Sequence, residues 1–414
     1  MYRKIEEIYH EFPSKFWVLV TVYFIDRVGG ALIFPFLSLY IIGKFGVSMT
    51  QVGILLGIHS TFAFIGNLLG GALTDKFGRK SMLIFGLISS ASAALALGLV
   101  QDWKVFYVLI SLTGFVSNIG DPAASAMMAD ILPIEKRTDG YGILRVAINL
   151  AVTIGPAIGG LLAGFSFLWL FILDCVISYL AAFLVFTSLP ETKPVSAEGQ
   201  PPLIRSISGY GKVFGDRLFM VIVSLTALTA VVYLQMSSSL PVFLQSLHGI
   251  TPQQFGIILS LNAVMVVVLQ FSFTRQVKKF QPLYMMALGN LFYAIGFAMY
   301  GFVSSYGLFL AAMIVITVGE MVIAPVIQTL VAFMAPRDMR GRYMAAFQLG
   351  RGFAAAVGPI AAGIILDGDN PQWIWYAGGI LCILVATGYL HLKNKIGNKF
   401  VALDEIKSIE VASD

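Results

Sequence analysis

Gly70-Gly71-Ala72-Leu73-Thr74-Asp75-Lys76-Phe77-Gly78-Arg79-Lys80 joins two long apolar runs. Four charged residues, Asp75, Lys76, Arg79 and Lys80, are packed between Thr74 and the end of this stretch. Each flanking run is long enough to cross about 30 Å of hydrocarbon as a helix. A charged segment this short between two such runs is a tight loop at one membrane face.

Composition agrees. Hydrophobic residues make up 58% of the 414 and charged residues 12%, with a mean hydropathy of +0.84. So few charges cannot cover a water-exposed surface, which excludes a soluble globular protein. The apolar runs exceed the roughly 10-residue alternating segments of a β-barrel, and 41 glycines and 16 prolines are tolerable in spanning helices. The fold expected is an all-α polytopic membrane protein with twelve transmembrane helices in two pseudo-symmetric six-helix bundles. Cys175 and Cys382 both lie inside apolar runs, with no disulfide framework, Cys-x-x-Cys pair or metal-ligand spacing. Neither a metal nor an organic cofactor is expected.

The spans read as residues 16–42, 50–74, 81–100, 105–131, 140–164 and 167–189, then 218–247, 253–273, 283–303, 306–334, 343–366 and 373–392. They define an N-terminal segment (1–15), a first bundle (16–189), a linker (190–216), a second bundle (217–392) and a polar tail (393–414). The linker carries Pro194, Pro201, Pro202 and Arg205 and is expected to hold a short amphipathic surface helix. No cleavable leader is expected, because the first run is too long and lacks a small-residue cleavage site. With the N-terminus inside, only Lys44 and Lys104 fall in exterior loops, and Arg27, Arg145 and Arg351 lie within helices. The remaining basic residues face the cytoplasm, as in a prokaryotic cytoplasmic-membrane protein with both termini inside. This placement accounts for the net charge of +5 without a nucleic-acid partner.

A repeat supports the two bundles. Adding 203 to a residue number carries Gly46, Gln51 and Gly53 onto Gly249, Gln254 and Gly256. The same shift carries Gly86, Pro122, Pro133, Gly155, Pro156 and Gly160 onto Gly289, Pro325, Pro336, Gly358, Pro359 and Gly363. Six-helix halves in parallel repeat, rocking about a central site, give alternating access.

The loop pattern Gly-x-x-x-Asp-Lys-x-Gly-Arg-Lys resembles the signature between helices 2 and 3 of the major facilitator superfamily. The resemblance implies a conformational gate of Gly71, Asp75, Gly78 and Arg79, with the arginine meeting an acid at the end of helix 4, here Asp130. The second copy, Arg275 to Pro282, has lost the aspartate and the second glycine. Gly155, Pro156, Gly159 and Gly160 resemble the helix-5 motif of the drug-proton antiporters of that superfamily, which implies export. The stretch around Glu320 resembles helix 10 of its proton-coupled multidrug exporters, and Asp121-Pro122 resembles an Asp-Pro on their helix 4. The helix-4 arginine motif is missing from Leu112 to Asn118, a place that Arg145 on helix 5 is a candidate to take.

Ionisable residues inside spans are costly, about 2.5 to 3.5 kcal/mol each at a helix centre on insertion scales, so they pair or face a wet cavity. Asp26, Arg27, Asp121, Arg145, Asp174, Glu320 and Arg351 are such residues. Glu320, Asp121 and Asp26 are the candidates for proton coupling. Asp26 and Arg27 are adjacent, so they project about 100° apart and are not expected to face one spot. Either can meet Arg145 or Asp121. Asp174, beside Cys175, reads equally as peripheral. Arg27, Arg145, Asn118, Asn149, Gln328, Gln348 and Phe347 are candidate cavity residues. Each also has a plain packing reading.

These residues favour a proton-coupled antiporter exporting lipophilic drug-like compounds, with a small-molecule substrate, protons and membrane lipid as partners and a monomer as a sufficient unit. Mid-depth arginines would instead suit a symporter for a small organic anion or nutrient. A non-transporting receptor would need a signalling domain. An enzyme is not indicated, since no Ser/His/Asp, metal or nucleotide constellation is present.

Overall fold

The computed structural model describes residues 9–193, 210–336 and 339–412. Among these are twelve helices long and apolar enough to cross a membrane: α1 (Ser14–Phe45), α2 (Met49–Phe77), α3 (Arg79–Leu99), α4 (Trp103–Ile131), α5 (Ile134–Phe165), α6 (Leu168–Ser188), α7 (Arg217–Ser238), α8 (Pro252–Val277), α9 (Pro282–Phe302), α10 (Tyr306–Val331), α11 (Arg342–Leu366) and α12 (Trp373–Asn394). No strand occurs among the described residues. A helix satisfies its backbone groups within one segment, which hydrocarbon demands. Beyond its apolar part, α12 continues as helix to Ala412, where the sequence reading ends the span at residue 392. The linker shows a short helix at Tyr210–Gly215. The expected surface helix falls largely on residues 194–209, outside the described residues, as do residues 1–8.

Caps follow the 203-residue register. Ser48 Oγ accepts from the Gln51 N–H at 3.3 Å, and Gln51 Oε1 accepts from the Ser48 N–H at 3.2 Å, a reciprocal box that starts α2. Thr251 and Gln254 repeat it at the start of α8, at 3.3 and 3.0 Å. Before each box a glycine closes the preceding helix with left-handed φ, 63° at Gly46 and 65° at Gly249. L side chains resist that conformation.

Two helices are jointed. A 3-10 turn at Phe34–Phe36 interrupts α1, and in the second half α7 stops at Ser238, followed by Leu240–His248. α4 was expected as one helix but divides into Trp103–Ser117 and Asp121–Ile131. Pro122 offers no N–H and crowds the carbonyl of Asn118 four residues back, where the backbone leaves the helix at φ −117° and ψ 11°. The counterpart α10 runs unbroken past Pro325, with Ile323 in the place of Gly120.

The chain forms two compact units. The first comprises Met1–Gln200, Ser237–Ala263 and Pro359–Ile364, so it holds α1 to α6 together with segments from α7 to α8 and from α11. Within it α1 packs on α5 and α6, α3 on α6 and α4, and α2 on α4. Phe16, Tyr23, Met82, Met127, Met128 and Val185 belong to its buried cluster. The second unit comprises Pro201–Met236, Val264–Gly358 and Ile365–Asp414. There α9 packs on α10 and α12. Phe297 stacks on Trp375 with ring centroids 6.3 Å apart, and Tyr300 on Phe309 at 5.8 Å.

Glycine sets how closely helices cross. A Cβ on Gly66 or Gly70 of α2 would collide with the carbonyl of Phe115 or Ile119 of α4, whereas Gly71 has open space around it. Gly66→Ala is therefore expected to destabilise the protein by about 1–3 kcal/mol through overpacking. Gly71→Ala should stay within about 0.5 kcal/mol of wild type. Thermal unfolding of the purified variants in detergent checks the contrast, and equal melting temperatures for the two would refute this account of the crossing.

Candidate functional site

In the first unit the charges within spans converge on Arg27. Its guanidinium donates to the Asp121 carboxylate, and its Nε lies 3.7 Å from Asp26 Oδ2. The expectation that Asp26 and Arg27 diverge is corrected: the long arginine side chain folds back, so one cation lies between two carboxylates. Tyr23 Oη donates to the Asp121 carbonyl at 3.4 Å, and the Tyr23 ring centre lies 5.8 Å from the Arg27 guanidinium carbon. The break in α4 puts Asp121 at the first position of a new helical segment, where the helix dipole favours an anion.

In the second unit Glu320 of α10 accepts a hydrogen bond from Tyr233 Oη of α7 at 2.9 Å. Tyr293 of α9 stacks on Tyr233, with centroids 5.8 Å apart. Arg351 of α11 lies close enough to act on both tyrosines. Gln270 of α8 donates to the Met321 carbonyl at 3.1 Å. Sequence reasoning passed over Tyr233 and Tyr293. The available signal was a phenol inside a span, which needs a polar partner when buried.

Arg145, Asn149, Gln328 and Gln348 are exposed, and Asn118 is half-buried with its carbonyl 3.4 Å from Asn67 Nδ2. Phe347 is buried. Among the described residues no cluster of His, Cys, Asp and Glu could hold a metal ion.

The helix-5 motif makes backbone contacts. A Cβ on Gly155 would strike Ala31, and one on Gly159 would come within 2.7 Å of the Leu32 carbonyl, both on α1. At Gly160 it would lie 2.9 Å from the Pro252 carbonyl and 3.0 Å from the Gly256 Cα of α8. The register repeats this crossing: Gly363 of α11 meets Met49 and Thr50 of α2, and Gly53 of α2 meets Pro359 and Ile360. Both crossings lie in the first unit, and the second involves the start of α2, the end remote from the Asp75–Arg79 loop.

At the loop itself Gly78 has φ 99° and ψ 162°, a region open essentially to glycine alone. Arg79 Nε lies 3.2 Å from Asp130 Oδ2, and Arg79 Nη1 lies 3.8 Å from Asp75 Oδ1. Of the residues proposed for a gate, Asp75, Gly78, Arg79 and Asp130 gather here, and Gly71 does not join them. The segment after α6, read from sequence as the start of a linker, does. Glu191 Oε1 accepts from the Arg79 N–H at 2.8 Å and Oε2 from the Lys80 N–H at 3.2 Å, capping α3. Thr192 Oγ1 donates to Asp130 Oδ2 at 2.9 Å, and Lys193 Nζ to the Lys76 carbonyl at 2.8 Å.

Partial burial by itself raises the Glu191 carboxyl. The N–H groups of Arg79, Lys193, Thr192 and Lys80 outweigh it and hold the group below the ordinary glutamate range. A depressed folded pKa means that the cap's contribution is complete above the ordinary pKa and is lost as pH falls through the depressed one. Glu191→Ala is expected to lower stability by about 1 kcal/mol, the usual worth of a helix cap. The gap in melting temperature from wild type should be constant near neutral pH and shrink below about pH 4. A gap that widens on acidification would reject the cap.

Comparison with known proteins adds a lineage to this geometry. The Major Facilitator Superfamily model matches residues 19–251 and 236–405. A Na(+), Li(+), K(+)/H(+) antiporter of Planococcus maritimus is 29% identical over 398 residues, covering 87% of this chain and 91% of its own. The multidrug resistance protein MdtH of Escherichia coli (strain SE11) is 23% identical over 384 residues, covering 91% and 94%. A crystal structure of the peptide transporter POT in complex with sulfate matches with a TM-score of 0.77 at 17% identity, over 93% of this chain and 95% of that one, a likeness of fold alone. Twelve spanning helices and a family match over nearly the whole length lead to one conclusion: the chain belongs to the Major Facilitator Superfamily, whose members here are membrane transporters and not enzymes.

Proposed function

We propose that this transporter is a proton-coupled antiporter that exports lipophilic, drug-like compounds across the cytoplasmic membrane of a prokaryote by alternating access, with both termini cytoplasmic. The observation that carries the reading is the contact between Tyr233 and Glu320, a carboxyl at mid-span held by a neutral donor. Ionised, such a group attracts a cationic or polar compound. Protonated, it releases it, and the same event lowers the cost of moving the empty site past hydrocarbon. Asp121 and Asp26 supply the corresponding acids in the first unit. Of the mid-depth arginines that suited an organic-anion symporter, Arg27 is already engaged there, shared by Asp121 and Asp26. A monomer suffices for this chemistry. The relative named as a multidrug resistance protein supports the substrate class, and the relative named as a cation/proton antiporter supports the coupling.

That second relative also favours one other reading, exchange of an alkali cation for protons. Dye efflux in inverted membrane vesicles under an imposed pH gradient separates the two. Wild type should move dye only while the gradient stands. Glu320→Gln should lose gradient-driven efflux by about tenfold or more. Tyr233→Phe removes a single hydrogen bond to a charged group, worth about 1.5–3 kcal/mol, and should fall between them. Dye levels indifferent to the gradient would reject proton-driven export, and collapse of the gradient by sodium or potassium salts without dye movement would assign the protein to cation exchange.

A further inference from the structure

One carboxyl within the spans belongs to neither cluster. Asp174 of α6 is only 8% exposed. Helix α6 has two faces: Val176, Tyr179, Leu180, Phe183 and Phe186 are exposed, whereas Phe171, Asp174, Cys175, Ser178, Ala181 and Val185 are buried. Asp174 therefore sits on the inward face, and the peripheral reading of it is corrected. Its Oδ1 rests on the backbone of α1 at Gly29, where a Cβ would occupy the oxygen's own space. Ser178 Oγ, one turn along, donates to the same oxygen at 3.5 Å.

Among the described residues no lysine, arginine or histidine forms an ion pair with Asp174. The titratable groups that face it are Asp26 from α1 and Cys175 on its own helix. Helices α3 and α5 also pack on α6. On α3 the charged residues, Arg79 and Lys80, sit at the opposite end from the start of α6. On α5 Arg137, Asp139, Tyr141 and Arg145 all precede the helix end at Phe165 by at least twenty residues, whereas Asp174 follows the start of α6 by six. At 1.5 Å per residue that leaves roughly 20 Å along the bundle between them. An ionised Asp174 would have another carboxylate as its charged neighbour, and the cation beside that carboxylate, Arg27, is already shared by Asp26 and Asp121, an arrangement that hydrocarbon surroundings penalise.

We propose that Asp174 is a further proton-carrying residue of the transport cycle, a neutral acid in the present arrangement that exchanges its proton with Asp26 across the contact between α1 and α6. The step balances simply. The O–H bond of Asp174 breaks, an O–H bond forms on Asp26, Asp174 is left as the carboxylate, and Arg27 is left to Asp121 alone. Gly29 provides the room in which the Asp174 carboxyl rests on α1, three residues along from Asp26. The proposal rests on the proton-coupled reading for its place in transport, but the protonation of Asp174 does not depend on it.

Infrared spectroscopy of the purified full-length protein tests the protonation directly. Wild type should show a protonated-carboxyl C=O band at neutral pH that is lost in Asp174→Asn and kept in Glu320→Gln. Ser178→Ala removes one hydrogen bond and should move the band to higher frequency, which keeps the test decisive if Asp174→Asn folds poorly. Persistence of the band in Asp174→Asn, its absence from wild type, or an unmoved frequency in Ser178→Ala would each overturn the proposal. In the vesicle assay Asp174→Asn should flatten the pH dependence of efflux while Glu320→Gln stops efflux, and an unaltered pH profile in Asp174→Asn would exclude a role in coupling. A band that behaves as expected in a protein showing no gradient-driven efflux would leave Asp174 a proton site and remove the antiport reading instead.

Discussion

Arg27 keeps its charge at any pH a cell experiences, so the helix that carries it into hydrocarbon must bring it counter-charges. Asp26 comes from the adjacent position on the same helix, and Asp121 from α4, across the bundle. The requirement reaches into the backbone. Asp121 begins a helical segment because α4 breaks just before it, with Pro122 in its first turn. Charge, helix start and helix break are thus one feature, and the packing of α1 against its neighbours in the first unit is arranged around it.

The glycine crossings solve a different problem. Hydrocarbon gives helices no solvent-driven reason to associate, so close backbone approach and dispersion have to hold them. The contacts of Gly160 with Gly256 and of Gly363 with Met49 are related by the same 203-residue shift as the caps at Ser48 and Thr251. The charged loop does not obey that shift. Its second copy lacks Asp75 and Gly78, and with them the basis for a network such as the one Arg79, Asp130 and Glu191 form.

Much of the architecture was legible in the sequence. Length and hydropathy mark out twelve spans, and repeated glycines and prolines locate the halves. Arg79 meeting Asp130 could be expected because the loop pattern resembles a known one. Other features were hidden for definite reasons. The break in α4 cannot be read from Pro122 alone, since a proline at the matching place in α10 breaks nothing. Tyr233 and Glu320 are 87 residues apart, so their contact follows from the packing of α7 on α10 and from no local spacing. Glu191 looked like linker because its partners are backbone N–H groups, which leave no trace in a pattern of side chains. Asp26 and Arg27 were misjudged by treating side chains as directions alone, when a guanidinium on three methylenes can turn back on its neighbour.

The joint in α4 has an uninterrupted rod, α10, as its counterpart in the repeat. A flexible element bends where it is hinged, and a stiff one transmits displacement along its length. At this place the halves are not mechanical equals, since one helix is broken and its counterpart is continuous. A displacement carried along these two helices meets a joint in one copy and a continuous rod in the other, even though the contacts of Gly160 and Gly363 still keep the 203-residue repeat.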